Sequence, residues 1–119
     1  MQAMRTKQEA FDIVWQAFVV EKRPQSVWSG HCRYRGPNGM KCAAGLLMAD
    51  ELYLSDFDTK GISVDGLPSH VRNSLCESSE FVQLLQTIHD EVIAPGMFTD
   101  HMRNRLSVLA QNEGLRIPE

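Results

Sequence analysis

The sequence predicts an α+β fold, mainly α, with about five helices packed around one β-hairpin at about residues 31–42. Apolar residues recur at intervals of three and four over most of the chain, while one stretch, Cys32-Arg-Tyr-Arg-Gly-Pro-Asn-Gly-Met-Lys-Cys42, alternates on both sides of a turn sequence. The scale is set by 119 residues, 43% of them hydrophobic and 23% charged, which suffice for one continuous core and read as a single domain, 1–119.

Thr6 and Glu9 have capping-box spacing ahead of an apolar run, so hydroxyl and carboxylate can satisfy free amides at a helix start. Phe11, Val14, Trp15 and Phe18 then share one face, with Glu9, Asp12 and Gln16 opposite; Pro24 disfavours helical geometry at Arg23 and ends the run. Val19 falls in the polar stripe as a single exposed apolar residue. The hairpin follows a loop containing Trp28. Pro37 suits the first corner of its turn, Asn38 the second, and Gly39 the left-handed position that closes it. From Ala43 to about Leu54 the chain is apolar on nearly every side, as a buried helix would be, although Asp50 and Glu51 oppose the dipole at its C-terminal end and mark a candidate stop.

Ser55 to Leu67 reads as a long polar connection, and Pro68 suits the first position of a short helix through Val71 and Leu75. Phe81, Leu84, Leu85, Ile88 and Val92 form the sharpest apolar stripe in the chain. Glu77 and Glu80 sit at its positive end and Pro95-Gly96 after it, so this helix is expected to supply the main core seam. A last helix runs from Thr99 through Met102, Leu106 and Leu109, with Gly114 placed to terminate it and Leu115 to pack back.

Bulk chemistry narrows the function classes. A net charge of −3 argues against nucleic-acid binding by the whole surface, leaving only a local basic patch for that purpose. No apolar run reaches bilayer length, and Met1 to Lys7 is polar rather than leader-like, so neither membrane insertion nor export is expected. Three cysteines without a C-x-x-C pair fit free thiols in a reducing, cytoplasmic compartment.

Alternation places Cys32, Tyr34, Met40 and Cys42 on one hairpin face and Arg33, Arg35 and Lys41 on the other. Arg35 then lies opposite Lys41, and like charges so placed repel unless solvated or bound to an anion. Arg33, Arg35 and Lys41 are therefore the candidate binding residues, for phosphate, carboxylate or an acidic partner; the same three also read as an ordinary solvated face. Cys42 stands where a helix N-terminus lowers a thiol's pKa, but its inward parity favours a small buried hydrophobe. His31, Cys32, Cys42 and Cys76 lack the paired spacing of a zinc site, so no metal and no cofactor are expected. Asp56-x-Asp58-x-Lys60-Gly61 opens like a calcium loop, yet Lys60 and Leu67 stand where oxygen ligands belong, leaving the acids to shape turns. His89, followed by Asp90 and Glu91, has the type of a general base but no identifiable nucleophile; the simpler role is a hydrogen-bonded, partly buried histidine, and no catalytic residue is assigned.

The pattern Cys32-x-Tyr34-Arg35-Gly36-Pro37-x-Gly39-x-Lys41-Cys42-Ala43-x-Gly45, with Asp50 and Tyr53 downstream and Leu85-Gln86-x-x-His89-Asp90 later, resembles a family of small tailed-bacteriophage and prophage proteins. The resemblance implies a non-enzymatic accessory protein that binds and modulates a host macromolecule in the bacterial cytoplasm, with an inhibitor of host defence of the anti-CRISPR type as one form. Two other classes stay open: a small phosphate- or nucleotide-binding protein or enzyme using the basic hairpin, and a virion or assembly component.

Overall fold

Helix α1, Lys7–Trp15, begins as its capping box requires, with Glu9 N donating to Thr6 Oγ1 at 3.1 Å and Thr6 N to Glu9 Oε1 at 2.9 Å. The computed structural model describes residues 5–28, 31–94 and 96–118, the side chain of Trp28 excepted; the polar start at Met1 and the stop signal at Pro95 lie outside the described residues. Beyond Trp15 the helix widens into a π turn, Gln16–Val20, in which each amide reaches one residue further back. The wider turn rotates the following side chains relative to a 3.6-residue period. Val19, expected in the polar stripe, is consequently buried beside Ala17 and Phe18.

The expected hairpin over residues 31–42 does not form. A two-residue antiparallel ladder instead joins β1, Val27–Trp28, to β2, His31–Cys32, and further along only Arg35 and Lys41 make an isolated bridge. The amides that a longer ladder would use are taken elsewhere: Arg33 N donates to Ser26 O, while Tyr34 N and Arg35 N donate to the Asp58 carboxylate. The turn forms at Pro37–Gly39, but Asn38, at φ 60°, joins Gly39, at φ 76°, in the left-handed region expected of the glycine alone; Gly36 N donating to Met40 O closes it.

Helix α2 spans only Ala43–Leu47 rather than continuing to Leu54. Arg35 reaches in from the side to the carbonyls of Gly45 and Met48, and Asp50 and Glu51 would meet the negative end of any longer helix, so the chain extends at Met48 before a 3₁₀ turn at Asp50–Leu52. The supposed polar connection is also ordered. It holds α3, Asp56–Thr59, and a 3₁₀ turn at Val64–Gly66, and it buries Phe57, Val64 and Leu67. Helix α4, Ser69–Leu75, follows Pro68 and buries Val71 and Leu75.

Helix α5, Ser79–Asp90, capped by Ser78, packs against α1, α2, α4 and α6. Phe81, Leu85 and Ile88 lie in the core as expected, but Leu84 is 44% exposed and Val92 lies wholly outside. The buried face is rotated towards α2 and takes in Val82, Gln86 and His89, because neighbours on several sides bury more than the apolar stripe alone. Helix α6, Phe98–Glu113, buries Met102, Leu106 and Leu109 and ends at Gly114, whose φ of 69° is the expected left-handed cap. The protein is mainly helical, with six α-helices among the described residues rather than about five. No helix among them is long and apolar enough to cross a membrane.

Candidate functional site

The bridge between Arg35 and Lys41 sets two like charges opposite each other, and the fold supplies the anion that answers them. Asp50 Oδ1 lies 2.7 Å from Arg35 Nη1 and 4.0 Å from Lys41 Nζ. Its hydrogen bond to Arg35 holds the Asp50 carboxyl below the usual range. Arg35 also donates to Met48 O at 2.8 Å, and its guanidinium sits 5.1 Å from the Tyr53 ring centroid, leaving the side chain 18% exposed. Two of the three candidate cations thus share one carboxylate, which pairs closely with Arg35 and only distantly with Lys41. Arg33 stands apart from it and lines a cleft with His31, Cys32, Asp58, Lys60 and Asp90.

Segment 34–35 is placed by Gly45 and Asp58. A Cβ at Gly45 would overlap the Tyr34 carbonyl, so only glycine lets α2 approach this backbone. Asp58 accepts from Tyr34 N at 2.7 Å, Arg35 N at 3.2 Å and Tyr53 Oη at 2.6 Å, while Tyr34 Oη donates to Ile62 O at 2.7 Å. Burial, followed by the bond to Asp58, pushes the Tyr53 hydroxyl up to about 12. With protein donors on both carboxylate oxygens, Asp58 organises backbone rather than a calcium ion.

A second polar chain starts at the first turn of α2. Ala44 N donates to Gln86 Oε1 at 2.9 Å, Gln86 Nε2 donates to Asp90 Oδ1 at 2.8 Å, and His89 Nδ1 lies 2.8 Å from that same oxygen. Ser26 N donates to His89 Nε2 at 3.1 Å, which fixes the tautomer: Nε2 carries the lone pair, and the Nδ1 proton points at Asp90. His89 is fully buried against the rings of Phe18 and Phe98. It therefore orients Asp90 and presents no basic nitrogen to solvent.

These two chains frame the candidate site. Cys32, Tyr34, Asp58, Gln83, Gln86 and Asp90 line an inner chamber of about 240 Å³, which adjoins an outer one of about 640 Å³ lined by His31, Arg33, Lys60 and again Cys32, Asp58 and Asp90. The Asp90 side chain is 40% exposed. Burial, reinforced by the Asp90 charge, pushes the Cys32 thiol up to about 12. The buried Cys42 thiol is likewise pushed up to about 12 by burial, and its Sγ accepts from Gly45 N at 3.3 Å as the cap of α2. All three cysteines are free, and burial raises Cys76 as well. None is poised as a thiolate nucleophile.

Donor atoms of Cys32, His89 and Asp90 lie within 4.8 Å of one another, a spacing that invites a metal reading. The histidine tautomer opposes it. A metal on Nδ1 would move the proton to Nε2, directly against the Ser26 N–H, and the contact of Nδ1 with Asp90 has hydrogen-bond length. The trio fits a hydrogen-bonded support for Asp90 better than a metal centre.

Arg33 is the predicted site residue that reaches the cleft; Gln83, Gln86, Asp58 and Asp90 were not anticipated as parts of one site. The available signal was spacing: Gln86, His89 and Asp90 occupy i, i+3 and i+4 on one helix face, and Gln86 meets the start of α2 at Ala44. Comparison with family models, curated proteins and solved structures finds no match to this chain.

Proposed function

We propose that this protein acts by non-covalent binding and that the cleft around Asp90 is its binding site. The observation that carries the reading is the support behind Asp90: two donors hold one of its oxygens while the side chain remains partly open to the cleft. The chemistry around it is that of recognition. The thiols are held protonated, and the histidine's lone pair is consumed inside the fold. In the setting implied by the phage resemblance, the chain is an accessory protein of the host cytoplasm whose cleft takes a group from a host macromolecule, with inhibition of a defence system as one outcome. The Arg35–Lys41 bridge is a weaker candidate for phosphate, since Asp50 already pairs with Arg35 and offsets part of the charge there.

The test is retention of host protein by immobilised parent and Asp90→Asn chains, with melting curves confirming that both are folded. Asparagine keeps an oxygen for Gln86 and His89 but removes the charge. A stoichiometric partner held by the parent and released by the variant supports the proposal; equal retention, or none by either chain, refutes it.

A further inference from the structure

The two chambers differ in what they ask of an occupant. Along the inner wall, Asp90 offers a carboxylate, and Gln83 Oε1 is buried without a hydrogen-bond partner while its Nε2 donates to Thr87 Oγ1 at 3.4 Å. Asp58 adds negative potential, with most of its acceptor capacity already taken by Tyr34, Arg35 and Tyr53. A buried acceptor left unpaired is rare in folded proteins, and a ligand N–H would satisfy it. The outer chamber shares Asp58 and Asp90 with the inner one and adds two cations, Arg33 and Lys60, so an anion is favoured only on their side of it. Arg33 lines it with its Nε buried and unpartnered, and a guanidinium stays charged at any accessible pH. Lys60 stands on the same wall, paired with Asp56 only across solvent-exposed side chains.

We infer that the cleft selects a dipolar small molecule or side-chain group: a cationic hydrogen-bond donor, ammonium or guanidinium, enters the inner chamber against Asp90 and Gln83, and an attached carboxylate or phosphate lies against Arg33 and Lys60. The inference rests on the cleft being the binding site and adds the polarity of what it takes. A guanidinium or ammonium can donate to the Asp90 oxygen that Gln86 and His89 leave free, and the anion can pair with the Arg33 guanidinium, so each end meets a charge that the fold leaves without a counter-ion. Neither end alone satisfies both.

The probes are L-arginine, which carries both ends, agmatine, which has the cationic groups of arginine without its carboxylate, and acetate and inorganic phosphate, which carry an anion alone. Each is titrated into the isotope-labelled protein while amide shifts of residues lining the cleft are followed. L-Arginine is expected to bind about tenfold more tightly than agmatine or either anion. Arg33→Gln should erase that advantage without weakening agmatine, whereas Asp90→Asn should weaken both cations. Comparison of the probes on the parent chain alone decides the matter if either variant fails to fold: equal affinity of L-arginine and agmatine, or no cleft response to any probe, overturns the inference. Whichever of acetate and phosphate competes better with L-arginine identifies the anion. Asp90-dependent retention of a host protein with no preference for L-arginine would defeat the polarity inference alone, and the reverse pattern would defeat the host-binding reading alone.

Discussion

Gln86 ties the cleft to the core, and its replacement can be worked through from the hydrogen bonds it makes. In Gln86→Leu the side-chain volume is nearly kept, so no large cavity opens. The Ala44 amide, buried at the first turn of α2, loses its acceptor, and stranding such a donor costs about 1–3 kcal/mol. The lost donor to Asp90 adds about 0–1 kcal/mol, because water can reach a carboxylate whose side chain is 40% exposed. Burying leucine in place of an amide recovers about 1 kcal/mol. The expected net loss is therefore about 0–3 kcal/mol, centred on about 1.5 kcal/mol and read as a lower urea midpoint at unchanged slope. Gln86→Glu sharpens the test: it keeps an acceptor for Ala44 N but sets a second carboxylate against Asp90, so its destabilisation should shrink as pH falls through the carboxylate range. A Gln86→Leu protein more stable than the parent would show that Ala44 finds another partner and that the chain from α2 to Asp90 carries no load.

Leu85→Ala, at a fully buried position facing the helices around α5, should cost about 2–5 kcal/mol in the same urea assay, and an unchanged midpoint would remove α5 from the core. Arg35→Gln should cost about 1–3 kcal/mol by leaving the Met48 carbonyl without its donor, whereas Lys41→Gln should stay within about 0.5 kcal/mol; equal effects would contradict the division of labour between the two cations. Cys42 makes stability fall in alkali: its folded pKa is raised from 9.0 to about 12, so its contribution is complete below 9 and is withdrawn as rising pH ionises the unfolded thiol first, by about 1.4 kcal/mol per pH unit at the steepest. Cys42→Ala should flatten that part of the stability–pH curve, and an unaltered slope would mean that the thiol titrates normally in the fold.

What the sequence made legible is what local chemistry decides. The Thr6–Glu9 box, the Pro37–Gly39 turn and the Gly114 cap each depend on a few neighbouring residues, and each forms where expected. Val19, Leu84 and the Ala43–Leu54 helix went astray for one shared reason: periodicity assumes an uninterrupted element, whereas a π turn, neighbours on several sides of α5 and the Arg35 side chain each changed which positions the fold could cover. The cleft was hidden more deeply, because a polar residue on an amphipathic helix reads as solvent-facing until its partner is known. Gln86 is buried because the first turn of α2 brings an amide that needs an acceptor, and His89 is buried because the Ser26 amide and Asp90 satisfy both of its ring nitrogens. Those partners come from segments more than forty residues away, Ala44 and Ser26. Arg33 shows the converse. Strand alternation placed it with Arg35 and Lys41 as one of three equivalent cations, and the loss of the longer ladder separated them, two to Asp50 and one to the cleft. If the cleft works as proposed, the parity that grouped the three by charge also obscured the one that binds, since a shared face is a statement about backbone pairing and a site is a statement about which groups remain unsatisfied once pairing is complete.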